Sequence, residues 1–239
     1  MLQPTDLIIA FCICTLAATL QSAIGFGLAL VAAPLLLLVE PSLVPGPLIF
    51  ASLILTGLTA YRDRAHIDLN GLWTALFGRV LGSILAAFFL AFTSQVFFDL
   101  TFGSMVVLAA LLSSTGIHLT PTRSATLIAG GASGLMGTIS SIGGPPMALV
   151  YQNSEAEKIR GTLAGYFLLG AGISLFALWS VDRFGPEQAL NGFALSPSMA
   201  LGFWIGHTMH HRIPRAVIRP LIIGLSFSSG FIVIVKTLF

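Results

Sequence analysis

"TISSIGGPPMALV", residues 138–150, sits within an apolar run spanning 124–152 and decides how the chain folds. It places two glycines, two prolines and three hydroxyl residues where a membrane helix has no use for them. A helix in lipid satisfies its own backbone. A Gly-Gly-Pro-Pro break at that depth frees N–H and C=O groups that lipid cannot bond, so the break must be buried in protein or line a wet cavity. Ser140 and Ser141 suit the broken end as caps. Pro145 and Pro146 suit the first turn of a new helix, where the missing N–H costs nothing.

The rest of the chain makes this a membrane question. Of 239 residues, 56% are hydrophobic and 8% charged, and mean hydropathy is +0.95; soluble domains carry about 25% charged residues. Long apolar segments recur throughout, which excludes a soluble globular domain and a weakly alternating outer-membrane barrel. No basic patch interleaved with aromatic residues indicates a nucleic-acid partner, and no motif indicates a cofactor. The start of the chain reads as a first membrane segment rather than a cleaved signal, because it lacks a basic n-region. Cys12 and Cys14 are two residues apart and do not share a helix face, so they read as packing residues.

A second break mirrors the first. "TLQSAIGFGLALV" (19–31) resembles 138–150, with Ile24-Gly25 set against Ile142-Gly143 at a separation of 118 residues. Leu69-Asn70-Gly71 returns as Leu190-Asn191-Gly192, and Leu81-Gly82 as Leu201-Gly202. Matches in the same order at nearly constant spacing indicate duplication, a common way to build secondary transporters. We read an all-α polytopic membrane protein of two homologous repeats, 1–120 and 121–239, forming one membrane domain. Each repeat begins with a broken or re-entrant helix and continues with three transmembrane helices. Eight segments follow from the apolar runs: 6–39 (broken at 25–27), 45–60, 71–92, 96–117, 124–152 (broken at 140–146), 159–180, 189–209 and 216–238.

Charge distinguishes two topologies. If every segment crosses, the basic residues divide five against five. If the two broken segments each return to the side they entered, Arg62, Arg64, Arg123, Lys158, Arg160, Arg212, Arg215 and Arg219 share one face and only Arg183 and Lys236 lie opposite. The second division obeys the positive-inside rule. It makes the basic face cytoplasmic, puts both termini outside and inverts the two halves relative to each other.

A half-helix starting at Pro146 directs its free N–H groups and positive dipole end into the break, which favours an anion. The break at Gly25, Phe26 and Gly27 does the same, with Gln21 and Ser22 nearby. The candidate substrate-binding residues are Gln21, Ser22, Gly25, Phe26, Gly27, Arg79, Ser140, Ser141, Gly143, Gly144, Pro145 and Pro146. Arg79 is the one charge well inside a segment, about 12 Å along it at 1.5 Å per residue. It reads either as an anion ligand or as a side chain snorkelling to the basic face.

With these motifs in view, the chain resembles the sulfite exporter TauE/SafE family of membrane transporters. The marks are a Gly-rich motif followed by proline in each half, "AIGFGLALVAAP" (23–34) and "IGGPP" (142–146), and "EKIRGTLAGYFLL" (157–169) after the second. The family's glycine run is interrupted here by Phe26 and shortened to Gly143-Gly144. The resemblance implies transport of sulfite, an organosulfonate such as sulfoacetate, or a related small anion across a bacterial inner membrane. We expect a transporter rather than an enzyme, with no cofactor; a coupling proton or sodium ion and an oligomer are both compatible with the residues.

Several residues remain. Asp99 is the leading carboxylate for proton coupling, and Glu40 reads as a helix end. His207, His210 and His211 read as an interfacial anchor, although His207 and His211 have the i,i+4 spacing of a metal pair. Arg62-Asp63-Arg64 and Lys158-Ile159-Arg160 read as topology determinants, with a lesser gating role open to Arg160. Ser52, Thr56, Ser83, Tyr166 and Ser174 either line a path or hydrogen-bond between helices. Gly131-Ala132-Ser133-Gly134 matches the G-x-S-G of rhomboid intramembrane proteases, with His207 as the base that reading would need.

Overall fold

The computed structural model describes residues 3–25, 27–115, 119–209 and 215–238, with the main chain alone for 215–219. Phe26, His210, His211 and Arg212 lie outside the described residues. The elements are helical: α1 (Pro4–Ile24), α2 (Leu28–Val39), α3 (Gly46–Arg62), α4 (Leu69–Ala91), α5 (Gln95–Ser114), α6 (Arg123–Ser140), α7 (Gly144–Tyr151), α8 (Ala156–Trp179), α9 (Pro186–Met209) and α10 (Arg215–Leu238). Single 3-10 turns at Pro41–Leu43 and Arg64–His66 flank α3. Among the described residues, five helices are long and apolar enough to cross a membrane: α1, α4, α5, α8 and Pro220–Leu238. Large apolar side chains face outward along them, among them Phe77, Ile84, Leu85 and Phe88 on α4. In water such a band would be an adhesive patch; on a multi-pass membrane protein it is the lipid-facing surface.

Both expected breaks are present as interruptions of helix. α1 stops at Ile24, Gly25 turns at φ 105° and Gly27 at φ 122°, and α2 starts at Leu28. α6 stops at Ser140, Ser141 turns at φ 66°, and α7 starts at Gly144. Positive φ is open to glycine and strained for serine, so the second break carries strain that the first avoids. The helix ends correspond at 116 residues (Ile24 with Ser140, Leu28 with Gly144), not at 118. Gly27 therefore matches Gly143, and Gly25 matches Ser141.

The packing exchanges the halves. α1 packs on α9 and α6 on α4; α3 packs on α9 and α8 on α4; α2 packs on α10 and α7 on α5; α3 meets α8 and α5 meets α10. Each of these contacts has a counterpart when the first five helices are traded for the last five, whereas the smaller α2–α5, α5–α6 and α7–α8 contacts have none of comparable size among the described residues. The Leu81-Gly82 and Leu201-Gly202 match has the same physical cause in each half. A Cβ on Gly82 would collide with the Gly131 carbonyl oxygen on α6. One on Gly202 would lie 2.6 Å from the Thr15 carbonyl oxygen on α1. Both glycines let two helix backbones touch, as small residues do in membranes. The Leu-Asn-Gly match is different: Gly71 packs beside Tyr151 and Asp68, whereas Gly192 packs beside Phe50.

Gly82→Val and Gly202→Val should therefore each cost about 1–3 kcal/mol of stability by overpacking. Thermal unfolding in detergent reads this directly. A loss at one site with none at the other would mean the two contacts are not equivalent.

Candidate functional site

The two breaks meet in one cavity of about 60 Å³. Gln21, Gly27 and the α2 start at Leu28, Ala29 and Leu30 line it from one half. Ser141, Ile142, Gly143 and Gly144 line it from the other, and Ser52, Thr56 and Arg79 also contribute. The first N–H groups of any α-helix lack an intrahelical partner. At α2 the Leu28 N–H donates to Gln21 Oε1 at 3.0 Å, which leaves Ala29 and Leu30 to present theirs. At α7, Pro145 and Pro146 carry no N–H, so Gly144 is the donor of that first turn.

Arg79 supplies what the shortened α7 terminus lacks. It is 4% exposed, so it does not snorkel. Its Nη2 donates to Ser174 Oγ at 3.0 Å and its Nη1 to Ser133 Oγ at 3.4 Å. The guanidinium stands over the Tyr166 ring, 5.1 Å from its centroid. Its Nε is buried with no hydrogen-bond partner, and no carboxylate pairs with it among the described residues. Gly137 and Gly143 make room for it: a Cβ there would lie 3.2 Å from Nη2 and 3.3 Å from Nη1, respectively. A Cβ on Gly170 of α8 would strike Nε itself. A buried cation without a counter-charge is costly, and this one faces two positive helix ends.

The structure brings Gln21, Gly27, Arg79, Ser141, Gly143 and Gly144 together at the cavity. It places other expected residues elsewhere. Ser22 donates to Phe203 O at 3.1 Å and receives Arg62 Nη1 at 3.4 Å, away from the cavity. Gly25 packs on the Arg160 stem. Ser140 donates back to Met136 O at 2.8 Å, and Pro145 borders a separate apolar cavity of about 150 Å³ with Ile222 and Ile223. Pro146 is buried in the α7 start. Gln21 lines the cavity but spends its carbonyl on the Leu28 cap. A break turns successive residues to opposite sides, and the polar side chains beside it are taken up by main-chain groups.

Sequence reasoning left Ser133 and Gly170 out of the binding site. Ser133 Oγ donates to Gly143 O at 2.5 Å, bridging α6 to the α7 start, and accepts from Arg79. The G-x-S-G serine is thus held by an arginine and a main-chain carbonyl, while the His207 ring stacks on Phe203. Ser174, Thr138 and Ser83 form a hydroxyl chain beside Arg79, with Thr138 Oγ1 2.9 Å from Ser174 Oγ and 3.0 Å from Ser83 Oγ. Small polar residues spread over α4, α6 and α8 carry no local spacing signal for such a cluster. Asp99 and Glu40 line a larger cavity of about 580 Å³ with Pro45, Asp182 and Arg183. Ser141 Oγ, at the inner cavity, donates to Pro45 O at 3.2 Å, so the two spaces adjoin.

No curated protein and no solved structure matches the chain. The family model described as Sulfite exporter TauE/SafE matches residues 10–233, nearly the whole length. Two interrupted helices, an outward apolar band and that match agree: the chain belongs to the sulfite exporter TauE/SafE family of multi-pass membrane transporters.

Proposed function

We propose that the chain is a secondary transporter of a small sulfur oxyanion or organosulfonate, bound where the two helix breaks meet and moved by alternating access. The observation that carries this is Arg79, a buried guanidinium with an unpartnered Nε and no carboxylate beside it among the described residues, next to the starts of α2 and α7. An anion in the cavity would take the place of the missing counter-charge. It would receive a charge-assisted bond from the guanidinium and weaker ones from Ala29, Leu30 and Gly144 N–H. Anion hydration lost on entry is replaced by fixed donors. A sulfonate or sulfite offers several oxygens to such donors and carries the negative charge they favour.

Packing supports inverted halves with both broken segments returning to their starting face. α1 runs past Thr15 and Ser22 toward Arg62, and α2 carries the chain back to Glu40, in the same cavity as Arg183. α6 runs past Ser133 toward Pro45, and α7 returns to Tyr151, whose hydroxyl donates to Asp68 at 3.4 Å. The Arg62–Asp68 end is then the cytoplasmic face of a bacterial inner membrane, and both termini lie outside.

The test is a thermal-shift panel on purified protein with sulfite, sulfate, thiosulfate, sulfoacetate, taurine and small carboxylates. A true ligand at 100 times its Kd stabilises by about 2.7 kcal/mol. A shift confined to sulfur oxyanions, and lost in Arg79→Gln, is the expected result. No shift with any anion across pH would sink the anion site.

A further inference from the structure

The end of α3 opposite the Glu40 and Arg183 cavity holds a cluster that the anion site does not use. Asp63, 7% exposed, accepts from Arg62 Nη2 at 2.9 Å and from Arg160 Nε at 3.2 Å. Arg160, 8% exposed, also donates to Glu157 at 3.4 Å. Arg62 reaches on to Ser22 O at 3.2 Å and covers the Phe203 ring at 5.4 Å. One buried carboxylate therefore ties α3 of the first half to α8 of the second, and through Arg62 to α1 and α9. The helices touch there at backbone level, since a Cβ on Gly161 would lie 2.6 Å from Asp63 O. Next to it, Asp68 pairs with Lys158 at 3.6 Å, and its main-chain N–H donates to Thr162 at 2.9 Å.

The position of the pair relative to the cavity matters most. Along α3, Gly46 lines the large cavity, Ser52 and Thr56 line the inner one, and Arg62 reaches the ion cluster. The Arg160 stem packs against the first break, with its Cγ 3.1 Å from where a Gly25 Cβ would be. At the other end no comparable tie crosses the large cavity among the described residues: Arg183 donates to the Leu90 and Thr93 main-chain carbonyls rather than to a carboxylate. The site thus lies beside the large cavity on one side and is closed off by ion pairs on the other.

We propose that the Asp63–Arg160 pair, braced by Arg62, is a gate that shuts the cavity toward the Lys158 face and must part each time the site opens there. A hydrogen-bonded pair buried at two helix ends suits this role. It has two discrete states, and both partners gain access to water when it opens, which offsets the bonds lost. The proposal rests on the alternating-access reading.

The test uses the full chain in sealed membrane vesicles of known orientation, with Cys12→Ser, Cys14→Ala and Ser52→Cys as background. A membrane-impermeant thiosulfonate is applied to one face at a time. The parent should be labelled readily from the vestibule face and slowly from the Lys158 face. Asp63→Asn and Arg160→Gln should each raise labelling from the Lys158 face by at least about tenfold. Arg160→Lys, which keeps the charge, should stay near the parent. Labelling from the vestibule face shows that each variant is folded. A parent labelled equally from both faces overturns the gate, as does a folded Asp63→Asn or Arg160→Gln labelled no faster than the parent. The reagent reports exposure and not anion binding, so an empty anion panel leaves this result standing, and unchanged labelling leaves the anion site standing.

Discussion

Arg79→Met should cut anion affinity by about 30-fold or more while leaving the melting temperature of the anion-free protein unchanged or higher. The two halves of this expectation have one cause. The guanidinium is desolvated, has two serine hydroxyls and a tyrosine face for company, and leaves Nε unbonded by protein groups. Burying a charge without a partner costs several kcal/mol after relaxation. An unbranched apolar side chain of similar length fills the same space without that cost. With an anion present the balance reverses. Removing one side of a buried, hydrogen-bonded charge pair typically costs about 2–5 kcal/mol, and each 1.4 kcal/mol is about tenfold in Kd. Arg79→Lys should fall between, since it keeps the charge and loses the fork that holds two oxygens. The measurement is a melting curve of each variant with and without the strongest ligand of the panel. If Arg79→Met melts several degrees lower without ligand yet keeps the full anion shift, Arg79 is a structural strut and the site reading fails.

How far the sequence could be read depends on what kind of signal each feature leaves. The breaks were legible because Gly25, Gly27, Gly143 and the Pro145-Pro146 pair interrupt apolar runs, and few forces other than a wanted interruption put them there. Segment ends followed for the same reason and fall within a few residues of the helices. The register between the breaks was not legible to the residue. Ile-Gly occurs in both halves, but the helix ends align Gly27 with Gly143, and a serine takes the left-handed position that Gly25 holds in the first half. The role of polar residues was legible only in part. Gln21, Ser22, Ser140 and Ser141 are all near a break, yet all four side chains bond main-chain groups, and Ser141 does so from the cavity lining, reaching Pro45 O. Which side a side chain takes depends on a turn of about 100° per residue, and a break resets that count. Asp63 and Arg160 are 97 residues apart. Each lies in a basic stretch at a helix end that topology alone explains, so their pairing has no signature in a single sequence.

Gly143→Ala should lower anion affinity by about 10- to 100-fold, and Gly143→Leu should abolish binding and transport. The added methyl has nowhere to go. Its Cβ would lie 2.8 Å from Ser133 Oγ, 2.9 Å from the Ser133 carbonyl oxygen and 3.3 Å from Arg79 Nη1. The backbone carbonyl of α6 does not yield easily, so the start of α7 or the guanidinium must shift. Either move loosens the Ser133 bond to Gly143 O and displaces the donors that face the cavity. Overpacking of this kind costs about 1–3 kcal/mol, and here most of it falls on the bound state, which needs those donors in place. Gly172→Ala is the control. It lies on the same transmembrane scaffold with nothing within 4 Å of its Cβ, and a helical Gly→Ala exchange gains up to about 1 kcal/mol. It should melt no lower than the parent and keep the anion shift. The comparison separates a general intolerance of larger residues from a specific one at the break. If Gly143→Ala binds anions as the parent does, the close contact of Gly143 with Ser133 and Arg79 serves packing alone, and the anion must be sought at α2 and Gln21 instead. If binding falls and the protein still melts near the parent temperature, the short approach of α6 to the start of α7 exists for the ligand.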